Sequence, residues 1–215
     1  MKPTKEYNGR SLIRMYLGDC MDLMKTGTWD LAIVDPPYGI GMDGRKESIC
    51  KNSNHNKKAY KQKNWDKRPS HKYFDKLFKV SNNQIIWGAN YFTEYLPPSM
   101  GWIVWNKEQR IKSSDGEIAF SSFDKGLRIF DKNRGFLAFE NPIHPTQKLI
   151  TLYKWLLKNY AKEGDTILDT HGGSMSIAIA CWDLGFDLDI CELDTDYFND
   201  AVKRFENHVA QTQLF

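Results

Sequence analysis

The chain has 215 residues, 41% of them hydrophobic, and a formal net charge of +3. That length predicts one domain with a sizeable core, and that composition excludes global disorder. No apolar run is long enough to span a bilayer and the amino terminus lacks an apolar signal core, so a cytoplasmic protein is expected.

Taken in chain order, Leu12–Leu17 reads as the first strand, and Gly18-Asp19-Cys20 follows it. Leu31–Val34 is a continuous apolar run, the pattern of a buried parallel strand. Asp35-Pro36-Pro37-Tyr38 comes directly after it. Asp35 can accept a hydrogen bond from an exocyclic amino group. Proline has no N–H, so the carbonyls around Pro36 and Pro37 are free to accept a second one. Tyr38 offers a ring face to a planar base. Two acceptors aimed at one amine localise its lone pair and favour attack on an electrophilic methyl. Asp-Pro pairs also make ordinary turns, so the tetrapeptide takes its meaning from the rest of the chain.

Residues 39–70 break the rhythm of strand and helix. They are polar, basic and poor in aliphatic side chains, and predict a long inserted loop or small subdomain. Between Arg45 and Arg68 nine basic residues face only Glu47 and Asp66, so nine minus two leaves +7 on that segment. His55, Tyr60 and Trp65 are interleaved. A compact basic segment on a near-neutral body predicts a polyanionic partner, with Arg45, Lys57, Lys58, Lys61, Lys63, Lys67 and Arg68 as the contacts. A solvated loop is the alternative.

Further strands are expected at Gln84–Trp87, Trp102–Trp105, Ile118–Ser121, Thr166–Leu168 and Leu188–Cys191. Leu149, Tyr153, Leu156, Leu157 and Tyr160 fit one face of a helix that Pro145-Thr146 would start. Ser176–Leu184 reads as a helix stopped by Gly185. Tyr197, Phe198, Ala201, Val202, Phe205 and Val209 fit a closing helix. Strands alternating with helices predict an α/β fold, a mostly parallel sheet wound on both faces. Cys20, Cys50, Cys181 and Cys191 show no metal or redox spacing and the histidines form no cluster, so no metal is expected and the thiols suit a reducing compartment.

Four expected strand ends carry acids: Asp19, Asp35, Asp169 and Glu192. In a parallel sheet all four converge on one crevice. Each acid alone could be a helix N-cap. Gly172-Gly173, after Asp169-Thr170-His171, would let a ligand approach the backbone closely. No Gly-x-Gly-x-x-Gly pattern and no Gly-Lys-Ser/Thr phosphate loop is present. Asp35 and Asp169 would repel phosphates and favour a cation. Glu192 could hold vicinal ribose hydroxyls, and Asp19 could accept from an adenine amino group. A cationic, phosphate-free adenosine derivative fits, and S-adenosylmethionine is one.

Asp35-Pro36-Pro37-Tyr38, Gln84-Ile85-Ile86-Trp87-Gly88-Ala89-Asn90-Tyr91-Phe92, Trp102-Ile103-Val104-Trp105-Asn106-Lys107, His144-Pro145-Thr146-Gln147-Lys148 and Asp169-Thr170-His171-Gly172-Gly173-Ser174 together resemble the amino-group DNA methyltransferases. The resemblance is closest to small phage or prophage adenine-N6 enzymes, and it covers nearly the whole chain. The catalytic block precedes the cofactor glycines, the circularly permuted order of the beta class. The resemblance implies the Rossmann-like methyltransferase fold, S-adenosylmethionine as cofactor and double-stranded DNA as partner. It places the target amine on Asp35 and the Pro36-Pro37 backbone, and the flipped base on Tyr38. It gives Asp169, Gly172, Gly173 and Ser174 to the methionine end of the cofactor, Glu192 to the ribose and Asp19 with Cys20 to the adenine. His144 to Lys148 would close the pocket, with Lys148 either on the cofactor carboxylate or exposed in a first helical turn. Met175 stands where the family has a third glycine, and its side chain would narrow the pocket or slide into the core. Cytosine N4 is the nearest alternative target, and a DNA-binding relative without catalysis or an RNA methyltransferase are others.

The last five residues, Gln211-Thr212-Gln213-Leu214-Phe215, are expected to form an exposed tail. Gln211, Leu214 and Phe215 resemble the short peptide with which bacterial proteins dock on the sliding clamp. The alternative is that Leu214 and Phe215 fold back on this chain's own surface.

Overall fold

A computed structural model describes residues 1–43, 63–110 and 114–212. Strands β1 (Lys5–Asn8), β2 (Leu12–Leu17), β3 (Trp29–Val34), β4 (Ser81–Trp87), β5 (Trp102–Asn106), β6 (Gly116–Ser121), β7 (Arg128–Asp131), β8 (Thr166–Asp169) and β9 (Asp187–Glu192) form one sheet in the order β1-β2-β9-β8-β3-β4-β6-β5-β7. From β2 to β4 all neighbours are parallel. β1 and β6 run antiparallel to their neighbours, and β5 and β7 are parallel to each other. The expected mostly parallel sheet is present.

Alternation along the central strands feeds two cores. In β3, Leu31 and Ile33 join one cluster while Ala32 and Val34 join the other. Helices α3 (Ile150–Tyr160), α4 (Ser176–Leu184) and α5 (Thr195–Thr212) cover the first face through Leu152, Leu156, Ile177, Phe198 and Phe205. Helices α1 (Cys20–Leu23) and α2 (His71–Val80) cover the second through Leu23, Phe74 and Leu77. A sheet that buries both faces needs apolar side chains at every position, which is why its strands read as unbroken apolar runs. No helix among the described residues is long and apolar enough to cross a membrane.

The seven strands expected from sequence are all present, lengthened by up to three residues. β1 and β7 lie at the two edges and are additions to that expectation. The helix ending at Gly185 is as read, with that glycine at φ 79°. Two boundaries differ. α3 starts at Ile150, four residues beyond Thr146, because residues 144–147 form a turn in which His144 O accepts Gln147 N–H. Gln211 is exposed but belongs to the last turn of α5. Leu214 and Phe215 lie outside the described residues, as do Arg45, Lys57, Lys58 and Lys61.

The two feet of the basic insert are tied together. Asp66 accepts the backbone N–H groups of Gly39 (2.8 Å), Ile40 (3.0 Å) and Met42 (2.7 Å). Lys63 N–H donates to Asp43 O at 2.7 Å. The segment therefore leaves and rejoins the fold at one place.

Candidate active site

The chain goes from β3 outward to β4 on one side, and from β8 outward to β9 on the other. β3 and β8 are neighbours, so the sheet changes direction of winding between them, and ligands of such sheets bind in that crevice. Asp35-Pro36-Pro37-Tyr38 leaves the end of β3, and Thr170 to Met175 leaves the end of β8. Between them lies a cavity of about 520 Å³, a size usual for a small-molecule site.

Asp19, Cys20, Asp35, Pro36, Pro37, Tyr38, His144, Lys148, Gly172, Gly173, Ser174 and Glu192 all line this cavity. Asp169 is buried beneath it. The residues singled out for catalysis and cofactor binding thus come together from β2, β3, β8, β9 and the loop before α3.

At the catalytic block, the Tyr38 hydroxyl donates to Asp35 Oδ1 at 2.6 Å. Lys148 Nζ donates to Asp35 Oδ2. The Tyr38 ring stacks on Tyr91, with centroids 4.9 Å apart and planes 16° from parallel. Gly88, at φ 67°, lies against the same ring, and a Cβ there would sit 2.0 Å from Tyr38 Cε1. Only glycine fits that approach. Burial and the nearby Asp35 carboxylate push the Tyr38 hydroxyl well above its ordinary pKa.

Lys148 is neither in a helical turn nor on the surface. It precedes the N-cap Leu149 and is 3% exposed. Its ammonium lies between Asp35 and Glu117 Oε2 (3.1 Å) and 5.3 Å from the Trp87 ring centre. Its partners are protein carboxylates, so it is not held free for a ligand carboxylate. Burial alone would lower its pKa, but Asp35 and Glu117 outweigh that and raise it.

The glycine loop is bound to β9. Gly172 N–H donates to Cys191 O at 2.7 Å, and a Cβ on Gly172 would meet Ile190 Cγ1 at 3.1 Å. Glu192 accepts from Gly173 N–H and Asp194 N–H, both at 2.7 Å. Burial raises its pKa. Its two oxygens thus brace the loop as well as facing the cavity. Asp169 accepts only His171 N–H among the contacts described, and burial, with Asp35 and Glu192 nearby, pushes its carboxyl up to about 8. Met175 is 1% exposed, adopts φ 52° and packs into the core below the loop. It does not narrow the cavity. Ser174 Oγ faces Ser176 Oγ at 3.1 Å. Asp19 is the N-cap of α1, accepting Met21 N–H at 2.8 Å.

Several residues of the site carry no signal in the sequence. Tyr73 on α2 lines the cavity and shares a 2.6 Å hydrogen bond with Thr170 Oγ1. Trp65, at the foot of the insert, covers His144 at a ring distance of 5.0 Å, and Tyr197 flanks His144 at 4.3 Å. Burial lowers the His144 pKa to about 3 and that of His171 to about 4, so both rings are neutral. Trp65 Nε1 is buried with no hydrogen-bond partner among the described residues.

Of the basic residues expected to meet a polyanion, Lys67 is exposed at the cavity rim. Lys63 is instead taken up by Asp194 (2.5 Å) and Asp196 (2.7 Å). Arg68 pairs with Glu94 and lies over the rings of Phe92 and Tyr95. Both fasten the insert to the body of the protein.

No family model matches the chain, and no curated protein matches its sequence. Solved structures do match in shape. The M1.HpyAVI–SAM complex aligns over 89% of this chain and 99% of its own, with a TM-score of 0.61 at 19% identity. PvuII DNA methyltransferase, cytosine-N4-specific, aligns over 97% and 93%, with a TM-score of 0.61 at 13% identity. TTHA0409 from Thermus thermophilus, named as a DNA modification methylase and complexed with S-adenosyl-L-methionine, aligns over 91% and 95%, with a TM-score of 0.54 at 13% identity. The chain has the Rossmann-like fold of these proteins.

Proposed function

We propose that this protein is a DNA methyltransferase that moves a methyl group from S-adenosylmethionine to the N6 amino group of a flipped adenine. The observation that carries this reading is the meeting of Asp35-Pro36-Pro37-Tyr38 and the Gly172-Gly173 loop in one cavity, on adjacent strands at the switch point of the sheet. The neighbours in complex with S-adenosylmethionine support the choice of cofactor.

The residues fit that cofactor. The site is rich in carboxylates, has a close-approach glycine at Gly172 and offers an unpartnered donor at Trp65 Nε1. Asp169, Gly172, Gly173 and Glu192 would hold it, with Asp19 and Cys20 at the far end and His144 closing the pocket. When bound, it supplies an electrophilic methyl on a sulfonium centre.

An adenine amino group is buried in a duplex, so the base must leave the stack before it can react. Asp35 then accepts one amine N–H and the Pro36 carbonyl region the other. Each carboxylate oxygen has two lone pairs, so Asp35 can accept the amine while keeping Tyr38 and Lys148. Tyr38, braced by Tyr91 and Gly88, fixes the plane of the base. Positive charge that grows on the nitrogen is stabilised by the Asp35 carboxylate, already oriented before the reaction begins.

Asp35 in place of serine favours adenine, and the likeness to the cytosine-N4-specific PvuII enzyme supports cytosine N4 as the second reading. Protein incubated with labelled cofactor and duplex DNA, followed by digestion to nucleosides, should give N6-methyladenine. N4-methylcytosine would select the second reading, and label in RNA alone would overturn both. Asp35→Ala should abolish transfer while calorimetry still shows cofactor binding; near-normal turnover would remove Asp35 from its role. Lys67 and the basic residues of 45–61 would contact DNA phosphates. The sequence from Gln211 to Phe215 supports docking on a sliding clamp, which deletion of Leu214 and Phe215 should abolish in a pull-down without changing methylation of short duplexes.

A further inference from the structure

Four charged side chains form a line from the end of β5 to the reacting end of the cavity. Lys107 follows β5 and is 5% exposed. Its ammonium is 2.7 Å from Glu117 Oε1 on β6. Glu117 Oε2 is 3.1 Å from Lys148 Nζ, and Lys148 reaches Asp35 Oδ2. Positive and negative groups alternate, and the four sum to zero. Burial alone would raise the Glu117 carboxyl, but the ammonium groups of Lys148 and Lys107 outweigh it and hold it at about 2.

A buried lysine that faced Asp35 alone would give its whole charge to that one carboxylate. Here the charge is divided between two carboxylates, and the Trp87 ring bounds the ammonium's remaining side. Asp35 keeps an orienting donor on one oxygen and Tyr38 on the other, yet keeps negative potential toward the cavity. That potential is what a nitrogen gaining positive charge requires. A carboxylate inside a β-strand is costly unless it is paired, and Glu117 has both its oxygens paired within this line.

We propose that Glu117 is a positioning residue that tunes the Asp35 carboxylate through Lys148, with Lys107 holding Glu117 in place. This rests on Asp35 being the amine acceptor. Glu117 lies one side chain removed from Asp35, so its effect belongs to turnover and not to cofactor binding.

The test uses the full-length protein, after the wild type has been shown to methylate duplex DNA; no transfer by the wild type would sink the methyltransferase reading itself. Glu117→Gln should lower kcat roughly 10- to 100-fold, below the 10²–10³ lost with a directly contacting group, and leave the Kd for S-adenosylmethionine unchanged. In a Lys148→Met background the same substitution should have no further effect, because its route to Asp35 is gone. An unchanged kcat, a matching loss of cofactor affinity, or an equal effect in both backgrounds would overturn the proposal. A readout independent of activity comes from ¹⁵N NMR of the lysine ammonium groups. Lys148 should give a slowly exchanging resonance that Lys148→Met removes and Glu117→Gln shifts; an unmoved resonance would overturn the link. Should Glu117→Gln fail to fold, Lys107→Met reads the same line from its far end, and unchanged kcat there would be equally fatal.

Discussion

Asp169 is a carboxyl group in a place that disfavours its charge. It is 2% exposed, and Asp35 and Glu192 lie nearby. Its pKa in the folded protein is about 8 against 3.8 in the open chain. Between those values the folded state holds a proton that the unfolded state has lost, so its contribution to stability falls as pH rises from about 4 to about 8. His144 and His171 act in the opposite sense, costing stability as pH falls below their open-chain value of 6.5. Asp169→Asn should therefore be more stable than the wild type at pH 8 and no more stable at pH 4, as read by the difference in Tm across that range. A constant difference would contradict the shift. A cationic ligand would reverse the preference of Asp169, so the same variant should bind S-adenosylmethionine more weakly.

The residues that could be read from sequence share one property: Asp35, Gly172, Gly173 and Glu192 stand directly after apolar runs, where a strand must end. Glu117, Tyr73, Tyr91 and Trp65 come to the site from elsewhere in the chain. A lone glutamate in a strand looks like a solvent-facing position until the fold shows which lysines meet it. Lys148 is legible as a member of the site, but its partner Asp35 is 113 residues away, and nothing local announces that pair.

Among the elements, the glycine loop and α4 show how a departure from a family pattern is accommodated. Met175 is the N-cap of α4 and takes a left-handed φ of 52°. Such a conformation costs a side-chain-bearing residue about 1–3 kcal/mol. The same side chain is fully buried, and truncating a core methionine costs about 2–5 kcal/mol. Burial outweighs strain, so Met175→Gly should lose about 1–3 kcal/mol in urea denaturation, despite restoring the glycine that the family pattern has there. A gain in stability would show strain to be the larger of the two.

Elements packed on both faces announce themselves; those with one free face do not. β1 and β7 sit at the two edges, and each is exposed at three of its four positions. No apolar pattern remains to read in four residues of that kind. α2 does carry a pattern, with Tyr73, Phe74, Leu77 and Val80 on its buried side, but it emerges directly from the polar insert. Sequence places the start of α3 too early because its first N–H is satisfied from afar: Glu140 accepts Ile150 N–H at 3.0 Å. That carboxylate also binds Arg204 of α5 at 3.1 Å, so the helix boundary is set by a tertiary contact and not by a local cap.

At the scale of the whole molecule, the parallel centre of the sheet is the legible part, since buried strands and intervening helices leave a strong rhythm. The addition of β6 in antiparallel sense, with β5 and β7 beyond it, is not legible, because periodicity reports burial and not direction. The basic insert is visible as a break in composition, but its anchoring is not. Lys63, Trp65, Asp66 and Arg68 look in sequence like part of a DNA-facing surface and instead fasten that surface to the fold.

The three N–H groups gathered by Asp66 act as a noncovalent staple across the insert. A flexible loop whose ends are already joined adds only about 0.6 kcal/mol of closure entropy for each doubling of its length. The staple separates the two obligations of the segment, so that staying attached is the task of residues 39–43 and 63–68 and variation is left to residues 44–62. Replacing 44–62 with a short glycine-serine bridge should then leave Tm within a few degrees of the wild type and S-adenosylmethionine binding intact, while DNA affinity falls. A large drop in Tm would mean that 44–62 supports the fold. With the staple in place the segment behaves as an exchangeable cassette: its length and sequence can drift toward new duplex sequences while the methyl-transfer frame beneath it stays fixed.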